Sequence, residues 1–155
     1  MFRPHGLGPA GLLLVISMAA AEPGVKAQFV GGTIPGLASK PDVRLDMTGP
    51  DMLVLRSGKA ELEIRIPYQR VNTLEYGQNV NRRYAAAILI SPVLLLSKSR
   101  KHFVTLGYED AEGQQQAVIF RVDKADIRSV LAGLEARTGR RVEYQDNEAR
   151  KAGKG

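Results

Sequence analysis

The chain has 155 residues, a formal net charge of +6 and 44% apolar residues. This length fits one domain, and the apolar fraction excludes a fully disordered or collagen-like chain. The sequence contains no cysteine, which excludes a disulfide framework, a catalytic thiolate and a cysteine-based metal site.

Residues 1–27 have the parts of a secretory signal peptide, with Arg3 near the start and an uncharged apolar stretch ending at Ala21. That stretch has 16 residues, fewer than the roughly 20 that a membrane-spanning helix needs. Small residues stand at the spacing of a cleavage site at two places, Ala19 with Ala21 and Val25 with Ala27. We expect cleavage before Gln28 and a periplasmic or extracellular protein, with an uncleaved membrane anchor as the alternative.

Residues 28–41 are predicted to form a Gly/Pro-rich arm, because seven of the twenty residues from Glu22 to Pro41 are Gly or Pro. Apolar and polar residues then alternate, which is typical of half-buried strands. The clearest case is Leu62, Ile64 and Ile66, which alternate with charged residues. Strands are predicted at 43–47, 52–55, 62–66, 71–76, 103–108 and 117–122.

The spacing changes after residue 123, where Ile127, Val130, Leu131 and Leu134 form one apolar helix stripe. Asp123 is expected at the N-cap of this helix, and Gly139 just beyond its end. A short strand at 142–144 and a flexible polar tail at 145–155 complete the chain. The predicted fold is α+β, mainly β: a bent antiparallel sheet or partly open barrel of about six to seven strands, capped by the C-terminal amphipathic helix.

Three stretches carry a resemblance to pleckstrin-homology-like and GRAM-like domains of uncharacterised secreted bacterial proteins. Ile66–Tyr76 resembles the place where a strand of these domains closes in Ile-Pro-Tyr before the next strand begins, and 96–103 and 134–139 are also similar. The resemblance covers roughly Asp42 to Tyr144 and implies a bent barrel closed by a helix. It implies no catalytic residues, because the family offers no catalytic signature, and fold alone does not give function.

The segment 82–102, called the insert below, contains five basic residues and no acidic one. With the leader removed, the chain has a net charge of +5, and the insert accounts for that whole excess. Between its basic ends lie thirteen nearly apolar residues, 84–96, interrupted by Ser91 and Pro92. As a helix they reach about 20 Å, too short for a hydrocarbon core of about 30 Å.

Two interpretations of the insert stay open. Its apolar residues pack inside the domain, or they dip into one membrane leaflet or meet an envelope protein while the basic ends contact anionic groups. The second interpretation predicts a non-catalytic binding or scaffold module. Its candidate contact residues are Arg82, Arg83, Tyr84, Ile88, Leu89, Leu94, Leu95, Lys98, Arg100 and Lys101.

Other classes of function have weaker sequence support. A small hydrolase would use His102 with Ser97 or another nucleophile, but no G-x-S-x-G motif is present, and a strand-end His102 is the preferred interpretation. An accessory subunit with its insert buried in a larger assembly is a further alternative. No cofactor, metal or nucleic-acid partner is expected, because phosphate-binding and metal-ligand motifs are absent and only Tyr84 and Phe103 accompany the basic residues of the insert.

Overall fold

The computed structural model describes residues 23–34, 42–57, 62–78 and 101–154. These residues form one mixed sheet and two helices, so the protein is mainly β with a smaller helical part. The elements in chain order are β1 (Val25–Gly32), β2 (Asp42–Asp46), β3 (Met52–Ser57), β4 (Leu62–Pro67), a 3₁₀ turn (Tyr68–Arg70), β5 (Val71–Gly77), β6 (His102–Glu109), β7 (Gln115–Val122), α1 (Ile127–Thr138), β8 (Glu143–Tyr144) and α2 (Asn147–Lys154).

The strands follow the order β4-β3-β2-β1-β7-β6-β5-β8 across the sheet. All neighbours are antiparallel except β5 and β8, which are parallel. Laid flat, the seven antiparallel strands from β4 to β5 would be close to 30 Å wide, at about 4.8 Å per strand spacing. The three residues of the 3₁₀ turn join β4 directly to β5 and can span at most about 14 Å. The sheet therefore curls, although no ladder joins β4 to β5 within the described ranges.

The main core lies on the concave face of this sheet, under α1. The helix contributes Ile127, Val130, Leu131 and Leu134, the four residues of the predicted apolar stripe, each no more than 3% exposed. The sheet contributes alternate residues such as Leu45 of β2 and Leu106 of β6. At its C-terminal end, α1 is held by Arg137, whose guanidinium donates a 2.6 Å hydrogen bond to the Gly49 carbonyl ahead of β3.

The six strands predicted from alternation correspond to β2 to β7, with ends that differ by at most two residues. The prediction of an antiparallel sheet of six to seven strands is wrong, because β1 adds an eighth strand in the described ranges and β8 pairs in parallel with β5. Gly139 is confirmed as the stop of α1, in the left-handed conformation with φ 69°. The prediction of Asp123 as the N-cap is wrong. Residues 124–126 form a turn, in which the Asp123 carbonyl accepts hydrogen bonds from the backbone N–H groups of Asp126 and Ile127. Asp126 therefore precedes the helix, and its side chain makes no capping hydrogen bond.

The predicted arm at 28–41 is wrong for its first residues. Gln28–Gly32 belong to β1, which lies in the middle of the sheet between β2 and β7. The paired glycines do not break this strand, because a bulge between Phe29 and Gly31 absorbs the irregularity and Gly32 packs closely on the Ala117 carbonyl of β7. Residues 35–41 lie outside the described residues.

The predicted flexible tail at 145–155 is also wrong where the chain is described. Residues 147–154 form α2, and its Ala149 is fully buried in the main core. Gly153 of α2 lies so close to Tyr144 that a Cβ added there would stand 2.7 Å from the ring. Small residues, rather than large apolar ones, hold this helix against the domain.

Candidate functional site

The sheet places the described residues on either side of the segment 79–100 close together. Gly77 at the end of β5 lies directly opposite Phe103 near the start of β6. Opposite residues of an antiparallel pair have Cα atoms about 5 Å apart. The chain therefore leaves β5 and enters β6 at the same end of one antiparallel strand pair.

Of the ten predicted contact residues, only Lys101 belongs to the described part of the chain, directly before β6 and partly exposed. The other nine lie outside the described residues: Arg82, Arg83, Tyr84, Ile88, Leu89, Leu94, Leu95, Lys98 and Arg100. Ser97, the nucleophile proposed for a hydrolase, lies outside them as well.

His102 is a strand-end residue, as predicted, and it contacts a tyrosine of the neighbouring strand. Its Nδ1 lies 2.6 Å from the hydroxyl of Tyr76, and the two rings are nearly parallel, with centroids 6.0 Å apart and an interplanar angle of 10°. Tyr76 is fully buried, whereas His102 is partly buried. The pair thus joins β5 to β6 beside the ends of segment 79–100.

The C-terminal elements complete this cluster. Tyr144 of β8 packs edge-on against Tyr76, with centroids 6.0 Å apart, and the Lys154 ammonium lies 5.6 Å from the centre of the Tyr144 ring. Gln145 donates its backbone N–H to the Tyr76 carbonyl. The cluster of His102, Tyr76, Tyr144 and Lys154 therefore ties β6, β5, β8 and α2 together at the end of the sheet from which segment 79–100 leaves.

Burial determines the electrostatics of this cluster. Desolvation lowers the pKa of His102, and the nearby positive charge of Lys124 lowers it further. Desolvation likewise raises the pKa of Tyr76, with smaller contributions from Tyr144 and Asp146. Both groups are neutral at pH 7, so a hydrogen bond from the tyrosine hydroxyl to a neutral imidazole accounts for the short distance.

This arrangement gives the hydrolase interpretation no support from geometry. A triad histidine uses one ring nitrogen for the nucleophile and the other for an orienting carboxylate, and here Nδ1 faces a tyrosine hydroxyl. Across the ranges that the structure describes, no group of three His, Asp or Glu residues is placed to hold a metal ion.

A second polar cluster lies on β2, β3 and β4. Asp46 accepts hydrogen bonds from the hydroxyl and the backbone N–H of Thr48. Its carboxylate also forms an ion pair with Arg56 at 2.6 Å. These donors, the Thr48 hydroxyl first, lower the pKa of Asp46 to about 2. Arg56 also contacts Glu63, which pairs with Arg65 at 2.6 Å. The four charged groups neutralise one another, so this cluster offers no unsatisfied charge to a ligand.

Two buried hydroxyls, those of Ser57 and Tyr68, have no hydrogen-bond partner within the described ranges. Tyr68, in the turn between β4 and β5, is 2% exposed and its hydroxyl makes no hydrogen bond. Its ring lies under the guanidinium of Arg137, 5.7 Å from the ring centre. Burial raises the pKa of Tyr68, so the hydroxyl stays protonated at neutral pH.

Comparisons with known proteins find no matching family model and no matching curated protein. None of the helices in the described ranges has both the length and the apolar character needed to cross a membrane. The tyrosines of the cluster were not singled out from sequence, because Tyr76 and His102 are separated by the whole insert and meet only through the register of β5 and β6.

Proposed function

We propose that the protein is an exported, non-catalytic binding module that contacts an anionic membrane surface through the insert, residues 82–102. The observation that carries this proposal is the pairing of Gly77 with Phe103, because it brings together the two described strands that flank segment 79–100. Binding residues are often placed on a loop that a rigid scaffold positions. An envelope protein as the partner of the same surface is the alternative that the experiment below distinguishes.

The charge pattern supports this choice of surface. Lys101 stands directly before β6, and the other four basic residues of the insert flank its apolar part without any acidic residue. Each Lys or Arg close to an acidic leaflet contributes about 1 kcal/mol, and this contribution falls with salt. The thirteen apolar residues between the clusters suit entry into one leaflet rather than passage through both.

The architecture we propose is pleckstrin-homology-like. Support comes from the order of the seven antiparallel strands. The two outer strands of this set, β4 and β5, are consecutive in sequence and are joined by a three-residue turn. A helix directly after β7 closes one face, as the resemblance implies. The parallel strand β8 and the helix α2 are additions to that plan.

We also propose that export removes the leader after Ala21 rather than after Ala27. Val25, Lys26 and Ala27 are paired with β2, so cleavage before Gln28 would remove three residues of a central strand. Cleavage after Ala21 leaves β1 complete. Mass spectrometry of the exported protein tests this, with Glu22 expected as its first residue and Gln28 as the result that overturns it.

Co-sedimentation with lipid vesicles tests the membrane proposal. The exported protein should pellet with phosphatidylglycerol-containing vesicles and not with purely zwitterionic ones. Replacing Lys98, Arg100 and Lys101 with Gln should weaken binding by about 100-fold, at about 1 kcal/mol for each charge.

The matched control replaces three exposed basic residues elsewhere, Arg128, Arg141 and Lys151, and changes the net charge equally. It should bind nearly as well as the wild type. Equal loss in both variants, or no binding to either vesicle, overturns the proposal, and capture of an envelope protein through the same three residues would establish the alternative.

A further inference from the structure

Strand β4 is the last strand on its side of the sheet. It pairs with β3, and no strand pairs with its other edge within the described ranges. Such an edge presents free backbone N–H and C=O groups that can pair with another strand. The register of β4 with β3 determines which groups these are.

The outward groups follow from that register. The backbone N–H of Tyr68 donates to the Asp51 carbonyl at 2.9 Å, in line with the pairing of Pro67 with Met52. Because an antiparallel ladder alternates, Ile66 and Ile64 also direct their backbone groups toward β3. Arg65 and Glu63 therefore direct their backbone N–H and C=O groups away from the sheet. Pro67 directs only its C=O group away from the sheet, because proline has no backbone N–H.

The side chains at this edge also have room for a partner. Glu63 and Arg65 are exposed, and Leu62 and Ile64 are only partly buried. The strand reads apolar, acidic, apolar, basic, apolar from Leu62 to Ile66, so it carries opposite charges at equal distances on either side of Ile64. A sequence of this kind is complementary to its own antiparallel copy.

We propose that β4 pairs antiparallel with β4 of a second copy of this chain, with the two-fold axis at Ile64. Glu63 already pairs with Arg65 of its own chain at 2.6 Å, and in this register it also faces Arg65 of the second copy, so that four charges of alternating sign meet across the interface. The outward backbone groups of both residues form four hydrogen bonds across it. Ile64 faces Ile64 of the second copy, and its partly exposed side chain becomes more buried. The second copy thus extends the sheet on the side where it ends.

Charge favours this register over its neighbours. A shift by two residues in one direction places Glu63 opposite itself, although Glu61 then faces Arg65, and a shift in the other direction places Arg65 opposite itself with Pro67 in the ladder. Like charges directly opposite each other destabilise a strand pair, and Pro67 cannot donate. The interface is small, so the dimer is weak and depends on concentration.

Sedimentation equilibrium over a range of concentrations tests this pairing. The wild type should self-associate, and Glu63→Lys or Arg65→Glu should each weaken self-association about tenfold or more, because two like-charged pairs replace two ion pairs. Mixing the two variants should restore association, since the introduced lysine then faces the introduced glutamate, and the remaining Arg65 faces the remaining Glu63. Arg128→Glu, an exposed charge reversal on α1, is the control and should associate like the wild type.

Cysteine cross-linking gives a second readout, in a chain without native cysteine. Ile64→Cys should form an intermolecular disulfide under mild oxidation, because facing residues at such a position have Cα atoms about 4.5 Å apart. Glu63→Cys should cross-link far less, because its own copy lies beyond the roughly 7 Å limit for a disulfide. A monomeric wild type at all concentrations, no rescue on mixing, or equal cross-linking at both positions overturns the proposal.

Discussion

The hydroxyl of Tyr76 lies 2.6 Å from Nδ1 of His102, whereas the hydroxyl of Tyr68, also buried, makes no hydrogen bond to any residue that the structure describes. Two buried tyrosines thus differ in one hydrogen bond. Tyr76→Phe should lower the free energy of unfolding by about 1 kcal/mol, the typical value of a buried hydrogen bond. Tyr68→Phe should leave it unchanged or raise it, because an unsatisfied polar group is removed. Urea unfolding measures both, and equal destabilisation would show that Tyr68 has a partner.

The imidazole of His102 should titrate below its usual pKa of 6.5, because burial and Lys124 disfavour its charged form. The unfolded chain then takes up the proton first, so this residue makes the protein less stable as the pH falls below about 6.5. NMR titration of the ring should show a higher pKa in Lys124→Gln and a lower one in Asp123→Asn. A pKa at or above 6.5 in the wild type would contradict the burial of His102.

Asp46 should contribute to stability only while it is ionised. Its pKa falls from 3.8 to about 2 on folding, so the contribution is complete above about pH 4 and is lost as the pH decreases toward 2. Solvent near Arg56, whose side chain is 33% exposed, limits its size to on the order of 1 kcal/mol. Asp46→Asn should remove this part of the acid dependence in unfolding measured from pH 6 to pH 2. If the stability of the wild type and of the variant changes with pH in the same way, Asp46 makes no such contribution.

Gly32 should not tolerate a side chain. A Cβ there would stand 2.7 Å from the Ala117 carbonyl oxygen, and this oxygen already accepts a hydrogen bond from the Thr33 backbone. Gly32→Ala should therefore cost about 1–3 kcal/mol of stability. Gly49→Ala is the control, since its nearest neighbour would lie 3.7 Å away. Thermal unfolding compares them, and equal melting temperatures would contradict the close approach of β1 to β7.

The burial of Ala149 predicts that α2 is part of the folded domain. Ala149→Glu should destabilise the protein by about 2 kcal/mol or more, because it places a charge in the core. Arg150→Glu, at the next and exposed position, should change stability by no more than about 0.5 kcal/mol. If neither substitution matters in chemical unfolding, residues 147–154 do not pack as described.

Alternation of residue types along the sequence was sufficient to predict β2 to β7, as with Leu53 and Leu55 in β3, although β6 and β7 bury runs of consecutive residues. It failed for β1, because Gly31 and Gly32 indicate a break and the bulge between Phe29 and Gly31 interrupts the alternation. It failed for α2 because Ala149 and Gly153 pack by close approach, and small residues carry no hydrophobic signal.

The candidate site was predictable only in part. Composition indicated the basic insert and His102, since both are local features of the sequence. The contact of His102 with Tyr76 and Tyr144 depends on the register of β5 with β6 and on the parallel pairing of β8. Neither is encoded in a spacing that can be recognised along the chain.

The central position of β1 has a consequence for the order of folding. Gln28 pairs with Arg121, about 90 residues further along the chain, whereas β3 and β4 are neighbours in sequence. Closing so long a loop costs more entropy than forming a hairpin, and nonlocal pairing slows folding. Strand β1, the first in the described ranges, therefore completes its pairing only after β7 has been made, and its open side stays available to other chains until then.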